Sequence, residues 1–444
     1  MVDAAPALAV VSRGKPARAS SLAPGSGPAG AATEGQPDGT AAFATLPEHE
    51  PFWEIDLGIV HRISTITVWN LEDAGRAGAM RMRPLRVLLS RDGTRWATVA
   101  TVDYPFGGAR SGRPLRLEPA FPLMARFVRL QLVARRRLEL DHVEIAADLS
   151  PPPHPYVGLR DLVREGDRHA ATLVARHDAG FFSNCSTILQ GIVDLWELGI
   201  AVREIDARGS FRFYRGEGAE TDPFATCFRL DASVALPDCL EVLPDVRKAF
   251  RASYANYTEY RGLSFDRLAP FLRRYFAPAR EAAEVESALM RRHGVDLSRT
   301  IGLCYRGTDK SREIEPAPVA DYLAQAERLL ARDGRLRLLV QTDQLQVRDA
   351  LLQHFGERAF CFPELPVTAG SKAVHHVLRD PAMLAERLLL ARRLVAAVRI
   401  LAGCRYLVTH SGNVGLWLAL LRGRAEGLWQ FDAKKALVPP PDAE

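Results

Sequence analysis

Three short polar patches in the second half of the chain carry the residue types that a phosphate ligand needs. TyrArgGlyThrAspLysSerArgGlu occupies 305–313, GlnThrAspGln 341–344 and ThrHisSerGlyAsn 409–413. Each follows an apolar run that reads as a strand, and the third leads directly into a helical pattern. An arginine, a hydroxyl and the unpaired N–H groups of a helix start are what a nucleotide diphosphate requires. Arg306, Ser411 and Gly412 supply these three. Asp343 suits either the nucleoside side of such a ligand or the routine capping of the helix that follows it.

The elements that must position these patches follow from the hydrophobic period. The runs 301–306, 336–342, 406–409 and 428–431 read as strands. Amphipathic patterns at 317–332, 345–355, about 381–402 and 413–422 read as the helices between them. That alternation predicts a doubly wound parallel sheet with its ligands at the carboxyl ends of the strands. Residues 170–290 carry their own apolar start and helical patterns at 185–198 and 265–275, which suggests a second α/β half. Before residue 150 the period is two. Runs at 52–57, 63–69, 85–90, 96–100, 127–133 and 142–146, broken by turns such as ArgAspGlyThr at 91–94, predict an antiparallel sandwich. Trp53, Ile55, Ile66, Val68 and Trp96 are its core candidates. Residues 1–40 are rich in Ala, Gly, Pro and Ser and show no period, so most read as flexible leader and irregular loop. ProProProHisPro at 151–155 marks the boundary between a sandwich domain at 1–150 and an α/β domain at 156–444.

Composition narrows the function classes. Lys and Arg total 58 against 53 Asp and Glu, a net charge of +5, and only six of the cations are lysine. The arginines are spread along the chain without a basic tail, so no nucleic-acid partner is expected. No apolar run reaches the roughly 20 residues of a membrane span. Asp3 stands where a signal peptide wants positive charge, and AlaLeuAlaValVal at 7–11 is short for its apolar core. The six cysteines form no Cys-x-x-Cys and all lie after residue 184. That pattern argues against a zinc ribbon or a disulfide framework. The expectation is a soluble, cytoplasmic protein with no transmembrane segment.

The first segment resembles a known module. PheTrpGluIleAspLeuGly (52–58), IleThrValTrpAsn (66–70), LeuLeuSerArgAspGlyThrArgTrp (88–96), PheGlyGly (106–108) and ArgPheValArgLeuGln (126–131) look like the discoidin, or coagulation factor 5/8 type C, module over roughly 12–148. The resemblance implies a jelly roll of the galactose-binding kind that binds sugars or lipid head groups through loops at one end. HisGluProPheTrpGluIleAspLeu at 49–57 is similar to the fucose-binding members, in which a His and two Arg grip the sugar. By that likeness His49, Arg81 and Arg83 are candidate sugar ligands, with Arg76 nearby. Leu71 follows Asn70 where those lectins place an arginine. The family also implies a structural calcium in the loop around Asp38 and Glu144.

The second segment resembles the fucosyltransferase superfamily of the α1,6-, α1,2- and protein O-fucosyltransferases over about 170–435. Those enzymes carry a strand ending in His-x-Arg-x-x-Asp, then a Thr/Ser-Asp strand end and a Ser-rich strand-to-helix turn. CysTyrArgGlyThrAspLys at 304–310 matches with Arg306 and Asp309, while Cys304 replaces the His and Gly307 a second Arg. GlyPhePheSerAsn (180–184), IleAspAlaArgGlySerPheArgPheTyr (205–214), ThrAspProPhe (221–224), SerTyrAlaAsnTyr (253–257) and ArgArgTyrPheAlaPro (273–278) look like the first half of these enzymes. Ala397 stands where several branches have a carboxylate.

The resemblance implies a GT-B pair of Rossmann-like halves, an acceptor half at about 156–295 and a nucleotide-sugar half at about 296–435, with GDP-fucose as donor. No Asp-x-Asp occurs in the sequence, so arginine and helix dipole would neutralise the diphosphate without a metal or other cofactor. Arg306 is then the β-phosphate contact and a catalytic residue. Ser411 and Gly412 donate to phosphate, and Asn184 approaches from the other half. Asp309 and Asp343 complete the donor set. Glu313 is the base for the acceptor hydroxyl, with Glu315, Asp309 and His410 as rivals. The expected activity is inverting transfer of fucose to a glycan or glycoconjugate. The alternatives are another nucleotide sugar on the same fold, or a glycan-binding protein without catalysis.

Overall fold

Alternating apolar and polar residues from Phe52 to Trp69 build an 18-residue strand that is the spine of the first unit. The computed structural model describes residues 8–72, 80–118, 123–149, 157–165, 168–197, 200–216, 221–236, 259–308, 315–370 and 372–443. Two compact units part between Pro152 and Pro153, with Leu195–Ile200 grouped in the first. In that unit Phe52–Trp69 pairs antiparallel with Leu123–Leu132 and His142–Asp148. The sheet runs Leu8–Val10, His142–Asp148, Phe52–Trp69, Leu123–Leu132, Leu85–Ser90, Ala97–Val102, and Ala17–Ala19 and Leu115–Leu117 also pair with the spine. A register shift between Asp56 and His61 lets one strand serve both runs that the sequence separates. Trp53, Ile55, Ile66 and Val68 are buried in one core with Leu85, Val128 and Val143.

Two expectations for this unit are corrected. Residues 8–40 are not a leader: Leu8–Val10 and Ala17–Ala19 are ladder strands, and the 3₁₀ turn Ala29–Thr33 buries Ala32. The indole N–H of Trp53 donates to the Ala29 carbonyl at 2.8 Å. Alanines and backbone groups make these contacts, so no hydrophobic period betrays them. Trp96 is half-buried rather than core. It precedes the mostly exposed edge strand Ala97–Val102, and its ring lies 4.0 Å from the Arg129 guanidinium.

The second unit holds a six-stranded sheet in the order Ala359–Phe360, Arg337–Thr342, Thr300–Tyr305, Tyr406–His410, Leu428–Phe431, Leu437–Val438. The first five strands are parallel and the last antiparallel. Numbered along the chain, this is the doubly wound order 3-2-1-4-5-6. Thr300–Tyr305 is buried at every residue, as a strand covered on both faces must be. Helices Val319–Leu330, Leu345–Phe355, Arg387–Gly403 and Asn413–Arg422 make the crossovers.

The other half departs from the Rossmann-like expectation. Its described strands form one three-stranded sheet, Val157–Glu165, Arg168–Ala175, Ile200–Asp206, whose first pair is an antiparallel hairpin. Two residues separate those two strands, too few for a parallel crossover helix. The helix Phe181–Glu197 follows this hairpin. The runs 151–155 and 253–257 lie outside the described residues. No helix among the described residues is long and apolar enough to cross a membrane.

Candidate functional site

Sheet order locates the site before any side chain is considered. Thr300–Tyr305 and Tyr406–His410 are neighbours whose crossovers leave in opposite directions, so a crevice opens beyond their carboxyl ends. Arg306 leaves the first of these strands, and His410, Gly412, Asn413 and Val414 leave the second. All five line one cavity of about 340 Å³. The 411–413 turn needs glycine at its centre, because Gly412 has φ 140° and ψ 174°. The first helical bond runs from Leu416 N–H to the Gly412 carbonyl, so the N–H groups of Asn413, Val414 and Gly415 belong to the open first turn. Gly415 lets that turn close on the strand, since a Cβ there would stand 1.9 Å from the His410 carbonyl.

Arg306 is partly exposed and reaches Asp343, Nε to Oδ2, at 3.2 Å. Asp343 is not the cap of the following helix, whose N-cap is Gln344. Its buried carboxylate accepts from Gly307 N–H at 3.0 Å and from the Thr308 hydroxyl at 2.6 Å. It therefore fixes the 306–308 loop that carries Arg306. Gly307 is required by close approach, because a Cβ would meet Gln344 Oε1 at 2.3 Å and the Tyr305 ring at 2.6 Å.

Several polar residues expected at the ligand face inward instead. The Ser411 hydroxyl donates to the Phe431 carbonyl at 3.3 Å and accepts from Gln430 at 2.9 Å. Gly412 N–H donates to the Tyr260 hydroxyl at 2.9 Å, and that hydroxyl donates to the Gly412 carbonyl at 3.0 Å. Asn184 is buried and spends both ends of its amide on Ala179, accepting from its N–H at 2.9 Å and donating to its carbonyl at 3.3 Å. Cys304 is buried, and desolvation pushes its thiol up to about 12. Glu315 is engaged by Lys435 at 2.5 Å. Asp309 and Glu313 lie outside the described residues.

Reasoning from sequence missed the other cations of the cavity. Arg212 and Arg379 line it, and their guanidiniums lie 4.7 Å and 5.2 Å from the centre of the Phe213 ring. Arg212 also pairs with Asp178 at 3.2 Å. It is presented by a turn in which buried Phe211 holds φ 58°. Positive φ at a bulky residue is strained, and the strain is borne next to the cavity by packing on Phe181, 5.0 Å away. Arg212 falls within the 205–214 likeness, whereas no sequence signal marks Arg379.

In the first unit His49 is exposed on a two-residue strand paired with Arg135–Arg136. Arg136 donates to the Met80 carbonyl at 3.4 Å, which ties the 80–83 segment to that strand pair. Arg81 pairs with Glu139 at 3.3 Å. Arg83 donates to the Asp103 carbonyl at 3.1 Å, and Arg76 lies outside the described residues. In the loop suggested for calcium, the Asp38 carboxylate accepts from the Thr40 N–H at 2.7 Å and from its hydroxyl. Asp141 accepts from Gly39 N–H at 2.9 Å. Glu144 stands on the strand His142–Asp148, opposite Thr67. Among the described residues no three His, Cys, Asp or Glu side chains converge as a metal site.

No curated protein matches the chain. Among solved structures, the lectin domain of Lectinolysin complexed with Lewis B antigen is 26% identical over 30% of this chain and 94% of its own, with a TM-score of 0.26. A Streptococcus pneumoniae fucose binding module is 21% identical over 32% and 96%, TM-score 0.27. The family 32 CBM from C. perfringens NanJ in complex with galactose is 14% identical over 31% and 98%, TM-score 0.27. The family model described as F5/8 type C domain matches residues 16–140, from Ala17–Ala19 through Glu139–Leu140 and short of the sheet strand His142–Asp148. Residues 16–140 are an F5/8 type C domain.

Proposed function

We propose that the chain is an inverting, metal-independent glycosyltransferase that moves fucose from GDP-fucose to a hydroxyl of a glycan or glycoconjugate. The proposed arrangement is GT-B-like, with an acceptor half at about 156–295 and a nucleotide-sugar half at about 296–435. The observation that carries this reading is the cavity at the switch point, where Arg306 and the open first turn of Asn413–Arg422 face one space. A guanidinium fork and a helix start acting together neutralise a departing nucleoside diphosphate. Asp343, Ser411 and Asn184 act in this reading as the fixings of the loops rather than as ligands. Glu313 is the proposed base. The F5/8 type C domain is the proposed sugar-binding module, with His49, Arg81 and Arg83 as its candidate sugar ligands.

Thermal shift of the full chain with GDP-fucose, GDP-mannose and UDP-GlcNAc in parallel tests the donor. GDP-fucose should stabilise most, and a flat response to all three nucleotides sinks the reading. Catalysis-free glycan binding is the second reading, favoured by Asp343 reaching Arg306 and by the buried Cys304 at the family's His position. It requires fucose binding with no nucleotide response.

A further inference from the structure

A second, smaller cavity of about 200 Å³ adjoins the first, sharing Arg212, Phe213 and Arg379 with it and adding Leu378 and Arg387. We propose that Arg212, Arg379 and Arg387 form an oxyanion subsite for the acceptor, so that the acceptor is an anionic glycan carrying a carboxylate or phosphate beside the reacting hydroxyl. The inference rests on the reading of the larger cavity as the donor site.

Charge is the first argument. Three arginines line the small cavity, while Asp178 is the single acid on either lining among the described residues. Asp178 is committed to Arg212, accepting its backbone N–H at 3.0 Å and pairing with its Nε at 3.2 Å. Among the described residues, neither Arg379 nor Arg387 has a carboxylate at ion-pair distance; Arg379 rests on the Phe213 ring. Cations gathered on one wall repel each other, and an arriving oxyanion removes that cost.

Hydrogen bonding is the second argument. Nε of Arg387 is buried and has no hydrogen-bond partner among the described residues. A buried N–H without an acceptor is unfavourable, and a ligand oxygen satisfies it. Arginine forks match carboxylate and phosphate in shape as well as charge.

Position is the third. Phe213 is buried, and the guanidiniums of Arg212 and Arg379 both rest on its ring, 4.7 Å and 5.2 Å from its centre. Arg306 and the helix start, the donor contacts, do not line the small cavity. Its volume of about 200 Å³ admits a sugar's acid group. An acid group held there leaves the rest of the sugar facing the larger cavity.

Isothermal titration of the full chain with glucuronate, glucose 6-phosphate and glucose, each with GDP at saturation, tests this directly. The better-matched acidic sugar should bind at least about tenfold tighter than glucose, and Arg387→Gln and Arg379→Gln should each remove about tenfold of that preference. Arg379 is exposed, so its variant tests the subsite even where Arg387→Gln misfolds. GDP affinity should stay within about twofold in Arg387→Gln, since Arg387 lines the smaller cavity and not the larger one. Glucuronate against glucose 6-phosphate separates carboxylate from phosphate. Equal binding of all three sugars overturns the proposal, as does a loss of GDP affinity in a folded Arg387→Gln protein that parallels the loss for the acid. If GDP binds to no form of the protein while acidic sugars still bind through these arginines, the oxyanion subsite stands and the donor reading falls.

Discussion

Replacing Arg306 by alanine should separate function from fold. On the functional side, the side chain is the arginine of the cavity that leaves the first central strand, where the proposed reaction would develop charge on a departing GDP. Losing one charge-assisted contact of this kind costs roughly 3 kcal/mol of transition-state stabilisation, or about 100-fold in rate. On the structural side, the arginine is 32% exposed and its partner Asp343 only 8%. Removing one member of a fully buried pair costs about 3–5 kcal/mol. Here the carboxylate keeps Gly307 N–H and the Thr308 hydroxyl, so about 1 kcal/mol is the expected loss of stability. That corresponds to a fall in Tm of roughly 2–4 °C for a domain of this size. Single-turnover transfer from GDP-fucose, read beside a melting curve, gives both numbers on one preparation. Arg306→Lys should recover part of the rate, because it restores charge without the planar fork. Turnover within about threefold of wild type in a folded Arg306→Ala protein would refute the donor assignment, since so small a loss is under 1 kcal/mol.

Gly307→Ala should weaken GDP binding and lower Tm together, because its Cβ would press on Gln344 and Tyr305; unchanged binding by titration would show the loop can move without consequence. Alkylation of the native protein at pH 8 should leave Cys227, Cys304 and Cys404 unmodified, since burial pushes each thiol up to about 12, and peptide mapping with and without denaturant reads this. The hydrogen bond from Arg208, with the nearby charge of Arg160, lowers Asp206 from its usual 3.8 to about 2. A depressed carboxylate contributes stability above about pH 4 and loses it as pH falls through about 2. Asp206→Asn should therefore cost about 1 kcal/mol at pH 7, discounted for arginines that are nearly half exposed, and almost nothing near pH 2 by urea titration.

How much of this was legible in the sequence depends on what each residue answers to. Helices Leu345–Phe355 and Asn413–Arg422 and the strand Leu428–Phe431 coincide with their periodic runs, because burial on one stripe or both faces decides them locally. The crevice was legible for a related reason: in a doubly wound sheet, topology assigns ligands to strand ends whatever residues stand there. Side-chain direction at those ends was not. Strand ends are also where buried backbone groups lose their ladder partners, and a nearby polar side chain is taken up by them first. Ser411 goes to the Phe431 carbonyl and Asp343 to the loop after Thr300–Tyr305; Asn184, in the first turn of the helix Phe181–Glu197, is taken up by both polar groups of Ala179. Arginine escapes this fate, since it accepts nothing and its long stem carries the charge past the strand end. Among the residues expected at the donor, Arg306 is accordingly the one whose side chain the described structure leaves on the cavity wall. Arg212 and Arg379 join it from turns that no period marks. The polar residues expected as ligands thus hold the cavity's frame, and arginines and helix N–H groups form its face.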